Sequence, residues 1–126
     1  MEAKQDHPPV TVRVKLMLCT DERFFGPGVC ELLEKIRETG SIRAAADLME
    51  LSYTKAWKIL NRAEEELGTN LITRVSGGRN GGSSTLTEAG ARAVRDFREI
   101  EEKVRAYANE QLKAHYRSFR TDGQEE

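Results

Sequence analysis

The chain has 126 residues, of which 33% are charged and 38% apolar, and its formal net charge is −1. That length suits one domain rather than two, and the composition suits a globular chain with a helical lean; it excludes a uniformly basic, histone-like binder, though not a local patch of positive charge. No apolar run reaches the ~18 residues of a membrane span, and Met1 to Asp6 lack the apolar centre of a secretory leader, so a cytoplasmic chain with no membrane partner is expected.

Residues 1–9 are polar, end in Pro8-Pro9 and are expected to be disordered, ahead of a domain over 10–119 and a second disordered tail over 120–126. Val10, Val12, Val14, Leu16 and Leu18 alternate with Thr11, Arg13 and Lys15, a period of two that predicts a strand with one buried face. Asp21-Glu22-Arg23 reads as a turn. Pro27 falls in the first turn of a helix whose stripe is Val29, Leu32, Leu33 and Ile36, and Gly40 stops it. Ser41 caps a second helix with Ile42, Ala45, Ala46 and Met49 on its inner face. That helix ends near Glu50-Leu51, and Ser52 opens a third, over 52–67, which stops at Gly68.

Asn70–Ser76 and Ser83–Leu86 read as two strands of a hairpin over 70–86, with Gly77-Gly78-Arg79-Asn80-Gly81-Gly82 as a flexible tip. Thr87 caps a last helix expected over 87–119, about 30 residues and roughly 45 Å long. Along it Ala93, Phe97, Ile100, Val104, Tyr107, Gln111 and Ala114 recur in alternating steps of four and three, a coiled-coil-like seam. The first half is expected to pack on its own domain. The rest needs a partner, most simply the same helix of a second copy, with Phe97, Ile100, Val104, Tyr107 and Gln111 in the interface; the competing arrangement docks it on the chain's own N-terminal strand.

The order of elements is a helix-turn-helix followed at once by a hairpin. The fold class expected is mainly α with a small β-sheet: a winged helix-turn-helix with an N-terminal strand and a long C-terminal dimerisation helix. Three consecutive alanines, Ala44, Ala45 and Ala46, allow the paired helices to approach closely.

At ~100° per residue, Tyr53, Ala56, Trp57, Ile59, Leu60, Ala63 and Leu67 gather on one side of the third helix, and Thr54, Lys55, Lys58, Asn61 and Arg62 on the other. No acid stands between Ser52 and Ala63; the acids cluster at Glu64-Glu65-Glu66. Lys and Arg can reach guanine edges or phosphates, Asn can pair with adenine, and Ser52 at the helix N-terminus can bond a phosphate. Ser41 and Arg43 at the start of the preceding helix, and Arg74, Arg79 and Asn80 on the hairpin, complete the candidate DNA-binding set. Read alone, the basic stripe is equally a solvated surface; the hairpin that follows favours double-stranded DNA.

Cys19 and Cys30 fit no metal-ligand spacing and read as two buried, reduced thiols, while His7 and His115 lie near opposite ends of the chain, so no metal site is expected. No nucleophile–base pairing or cofactor loop points to an enzyme. The competing functions are a winged-helix protein-interaction module that does not bind DNA, which the net negative charge favours, and a redox sensor switched by Cys19 and Cys30.

The segments Phe25-Gly26-Pro27-Gly28, Glu31-Leu32-Leu33, Glu38-Thr39-Gly40-Ser41-Ile42 and Ala44-Ala45-Ala46 resemble the N-terminal domain of the molybdate-responsive ModE regulators. So do Ser52-Tyr53, Lys55-Ala56-Trp57, the pairs Gly77-Gly78 and Gly81-Gly82, and Leu86-Thr87-Glu88-Ala89-Gly90, and the helix-turn-helix is similar to that of LysR-type regulators. The resemblance spans roughly residues 10–110 and implies a dimeric, sequence-specific transcription regulator with Ser52, Tyr53, Thr54, Lys55 and Lys58 at the DNA and Arg79 on the wing. The wheel turns Trp57 inward and leaves Tyr53 at the boundary. Glu50 departs from the family's usual glycine, at a cost on the order of 1 kcal/mol if that residue is left-handed. The family's molybdate-binding domains lie C-terminal to this region, so no cofactor is expected in this chain, and its signal is expected to come, if at all, through a separate effector or sensor protein.

Overall fold

The computed structural model describes residues 7–75 and 83–119, which fall into two compact units: one over Lys15–Arg98, the other drawn from residues 7–14 and 99–119. The expected disorder of 1–6 and 120–126 and the expected tip at 77–82 lie outside the described residues.

The larger unit begins with a short antiparallel pair, β1 (Leu18–Cys19) and β2 (Arg23–Phe25), with Leu18 opposite Phe25, Cys19 opposite Arg23, and an irregularity between. Three helices follow: α1 (Pro27–Thr39), α2 (Ile42–Leu48) and α3 (Tyr53–Leu67). Then come β3 (Ile72–Val75) and β4 (Ser83–Leu86), antiparallel with Ile72 opposite Leu86, Thr73 opposite Thr85, and Arg74 opposite Ser84. The last helix, α4 (Glu88–His115), starts in this unit. The architecture is the mainly helical winged helix-turn-helix anticipated from the order of elements.

Local chemistry explains the boundaries. Gly40 and Gly68 are left-handed, φ 77° and 74°, and their N–H groups close α1 on the Ile36 carbonyl and α3 on the Glu64 carbonyl. Ser41 Oγ accepts the Ala44 N–H at 3.0 Å, Ser52 Oγ the Lys55 N–H at 3.0 Å, and Thr87 Oγ1 the Gly90 N–H at 2.9 Å. Between α2 and α3 the chain reverses at Glu50, whose φ is 59°, while the Leu51 N–H returns to the Ala46 carbonyl at 2.9 Å. The position that glycine usually fills is therefore left-handed here with glutamate in it.

The core joins Phe25, Leu32, Leu33, Ile36, Leu60, Leu71, Val94 and Phe97, with Ala45, Ala46, Ala56 and Ala63 where helices close on one another. At Gly90 an added Cβ would stand 2.1 Å from the Leu71 carbonyl oxygen, so only glycine fits this first turn of α4. The same carbonyl accepts the Thr87 N–H at 2.9 Å, and Thr87 Oγ1 donates to the Asn70 carbonyl at 2.7 Å.

Several expectations need correction. Phe97 is not an interface residue: it is 2% exposed, with its ring 5.3 Å from that of Phe25. A buried phenylalanine contributes about 2–3 kcal/mol, and a seam read from spacing alone does not tell an intramolecular partner from an intermolecular one. The alternating stretch 10–18 is not a continuous strand; only Val10, as an isolated bridge residue, and Leu18–Cys19 pair as strands. In the smaller unit Val12 instead bonds to a side chain, its N–H donating to Asn109 Oδ1 at 2.8 Å and its carbonyl accepting from Asn109 Nδ2 at 3.4 Å. An amide side chain there takes the place of a neighbouring strand. The last helix ends at His115 rather than 119, closing into a turn in which the Phe119 N–H donates to the Tyr116 carbonyl. Of the two thiols, Cys30 is buried but Cys19 is exposed, and neither is in a disulfide.

Candidate nucleic-acid interface

Helix α3 turns Ala56, Leu60 and Ala63 into the core and leaves Thr54, Lys55, Lys58 and Asn61 exposed. These four fall within two and a half turns of the capped N-terminus. Ser52 uses its oxygen as an acceptor for the Lys55 N–H, so its hydroxyl hydrogen is available to an incoming acceptor. Ser41 caps α2 in the same way, and is half-buried.

Tyr53 and Trp57 form an edge-on pair on α3, centroids 6.1 Å apart, with a guanidinium at each end. Arg43, from α2, lies 4.2 Å over the Tyr53 ring; Arg74, from β3, lies 4.2 Å over the Trp57 ring. Arg74 also stands 3.6 Å from Glu64 Oε1. Glu64 Oε2 in turn accepts the backbone N–H groups of Leu71 and Ile72 at 2.8 and 3.2 Å. One connected row of contacts thus runs from α2 through α3 to the first strand of the hairpin. Tyr53 is 38% exposed, so it is on the surface, whereas Trp57 is half-buried against the core.

Arg62 departs from the solvent-facing stripe. Its Nε is 3.3 Å from Glu66 Oε2 without hydrogen-bond geometry, and Glu66 Oε1 accepts from Thr20 Oγ1 at 2.9 Å. The geometry therefore groups Thr54, Lys55, Lys58 and Asn61 on one face with Ser52 and Tyr53 at its head, sets Arg43 and Arg74 beside it, and turns Arg62 toward β1–β2. Arg79 and Asn80 lie outside the described residues. Leu67, assigned by its spacing to the inner side, is 38% exposed at the end of the helix.

The sequence reading missed Glu64. Within Glu64-Glu65-Glu66 it looked like one of three equivalent surface acids, yet its side chain is only 11% exposed and anchors β3. The available signal was its position four residues before the Gly68 stop, which aims it at the chain leaving the helix. Glu34 on α1 was missed likewise: it takes two hydrogen bonds from Arg98, at 3.0 and 2.9 Å, which hold its carboxyl below the ordinary glutamate range despite partial burial.

Among the described residues no group of three His, Cys, Asp or Glu side chains could hold a metal ion, and no helix is long and apolar enough to cross a membrane.

Comparison with known proteins agrees with this geometry. The chain is 37% identical over 90 residues to the molybdenum transport protein ModE of Herbaspirillum seropedicae, covering 71% of this chain and 32% of that protein. It is 41% identical over 70 residues to the ModE protein of Azotobacter vinelandii, covering 56% of this chain and 26% of that one. The chain thus spans between a quarter and a third of the length of these curated relatives. The crystal structure of a DNA complex of the CbnR DNA-binding domain superposes with a TM-score of 0.53 at 24% identity, over 69% of this chain and 94% of that one, a likeness of fold. The helix-turn-helix model of the bacterial regulatory proteins of the lysR family matches residues 29–91, half of the chain, so this chain belongs to that family, with a helix-turn-helix of the ModE kind.

Proposed function

We propose that the chain is a transcription regulator that binds duplex DNA, with α3 in the major groove and the β3–β4 hairpin as its wing. The observation that carries this is the exposed, acid-free face Thr54, Lys55, Lys58 and Asn61 on a helix capped by Ser52. Lysines at successive turns suit phosphates or guanine edges, and Asn61 suits an adenine. Tyr53, held against Arg43, suits the sugar-phosphate backbone at the head of the helix. Ser41 and Arg74 flank the same surface, and Arg79 and Asn80 complete the wing contacts. The names of the relatives, transcriptional regulator ModE among them, support the same role. This role is binding and not catalysis, and it calls for no cofactor in the chain.

The second half of the proposal is a homodimer. Ile100 and Tyr107 on α4 are 44% and 63% exposed, and Val104 and Gln111 lie half-buried on the same helix. Apolar and aromatic side chains at this spacing suit a second copy of the helix, which gives each half of a palindromic site its own recognition helix.

The test is selection of bound fragments from genomic DNA, followed by titration of the selected duplex at several salt concentrations. Binding is expected to fall steeply with salt, and Lys55→Ala or Lys58→Ala each to weaken it and lower the salt slope by about one. Binding indifferent to salt and to both substitutions would defeat the DNA reading. Sedimentation is expected to give the mass of two chains for the native protein and one for the Ile100→Glu/Tyr107→Glu variant.

A further inference from the structure

The larger unit contains a groove of about 320 Å³ between α3 and the β2–α1 corner. Its floor is apolar, formed by Met17, Phe24, Phe25, Val29 and Ile59. Three cations stand in its wall, Arg23 from β2 and Lys58 and Arg62 from α3, and among the described residues no carboxylate lines it. Arg62 has Glu66 beside it at 3.3 Å; among the described residues neither Arg23 nor Lys58 has a carboxylate partner. Surface lysines and arginines commonly lay their stems along apolar surface with the charge in water. Here, however, three such residues line one concavity, and a carboxylate stands beside only one of them, Arg62. The volume is at the lower end of ligand sites, too small for a large cofactor and suited to one compact molecule.

We infer that this groove binds a compact organic anion with an apolar body, of the aromatic carboxylate class, and that the bound anion withdraws Lys58 from DNA. The apolar body displaces water from Phe24, Val29 and Ile59, and the carboxylate lies between Arg23 and Lys58. The site would give the helix-turn-helix itself a signal, with no further domain needed. Its second half rests on the DNA reading above: Lys58 belongs both to the exposed face of α3 and to this groove, so anion and DNA compete for one ammonium. By linkage, the factor by which the anion weakens DNA binding equals the factor by which DNA weakens anion binding.

The probe is 2-naphthoate, titrated calorimetrically into the native chain, with 2-naphthylmethanol as its neutral counterpart and molybdate as a purely inorganic anion. Saturable binding of 2-naphthoate is expected, with the alcohol and molybdate at least tenfold weaker. Arg23→Gln, at an exposed position outside the DNA face, is expected to weaken the probe about fivefold while leaving duplex affinity unchanged. Saturating 2-naphthoate is expected to weaken the selected duplex severalfold in the native chain, and at a given sub-saturating concentration less in Arg23→Gln. Absence of saturable binding, or equal binding by the alcohol or by Arg23→Gln, overturns the site. Normal probe binding with unmoved duplex affinity overturns the competition. A chain that binds the probe in this Arg23-dependent way yet holds no duplex at any salt refutes the DNA reading and leaves the anion site standing.

Discussion

Arg74 on β3 lies with its guanidinium carbon 4.2 Å from the centre of the Trp57 ring on α3, so the wing is clamped to the helix it follows. Glu64 completes the clamp, since it faces Arg74 at 3.6 Å and binds the two N–H groups that open the strand. Strand β3 and helix α3 then present one surface rather than two that must be ordered on binding, which lowers the entropic cost of association. Glu64→Ala leaves two backbone donors and a guanidinium without their acceptor, and is expected to cost about 2–3 kcal/mol in urea unfolding. Glu64→Gln, which keeps a carbonyl for the backbone, is expected to cost less. If Glu64→Ala and Glu64→Gln unfold at the native urea concentration, the clamp contributes nothing.

Glu50 occupies a left-handed conformation, φ 59°. A side chain there costs roughly 1–2 kcal/mol, and glycine's greater freedom in the unfolded chain returns about 0.4–1 kcal/mol of that penalty. Glu50→Gly is therefore expected to stabilise the chain by about 0.5–1 kcal/mol, seen as a rise of a few degrees in Tm. A lower Tm would mean that the glutamate makes compensating contacts in the turn.

Gly90 presents the opposite case. Its φ is not the constraint; the Leu71 carbonyl oxygen, 2.1 Å from an added Cβ, is. Gly90→Ala must push α4 away from the strand that precedes it, and is expected to cost about 3 kcal/mol or slightly more despite alanine's better helix propensity. Thr87→Ala, which removes the cap and the bond to Asn70, is expected to cost about 1–2 kcal/mol. Equal stability of native and Gly90→Ala chains by thermal melting would contradict the close approach.

The Glu34 carboxylate is held below the ordinary glutamate range by the two hydrogen bonds from Arg98. Because its folded value is the lower one, the unfolded chain takes up the proton first as pH falls. The contribution is therefore complete at neutral pH and is lost as pH drops from the ordinary glutamate range through the lowered value. Both side chains keep partial solvent contact, so its size is modest. Arg98→Gln is expected to be less stable at pH 7 and to lose less on acidification than the native chain. Parallel acid limbs in urea midpoints against pH would rule the pair out as a contributor.

The sequence by itself determined the order of elements from α1 to α4 and most of their ends, while the β1–β2 pair ahead of them, with Arg23 in a strand rather than a turn, was not legible in it. Serine caps at 41 and 52, the threonine cap at 87 and glycine stops at 40 and 68 are settled by hydrogen bonds within a few residues, and periodicity shows which face of α3 stays in water. Its resemblance to the ModE regulators likewise rests on contiguous motifs. Only the tertiary structure decided which partners those faces meet. It gave Phe97 to Phe25 instead of a second chain, replaced most of a strand over 10–18 by a bond from Val12 to Asn109, and left Cys19 exposed. It set Arg74 on Trp57, and it brought Arg23 beside Lys58 across an apolar groove. Each of these pairs joins residues at least 17 apart in sequence, most of them far more, and a side chain's environment is set by whichever distant segment arrives beside it. Periodicity and capping, which are local, carry no record of that arrival.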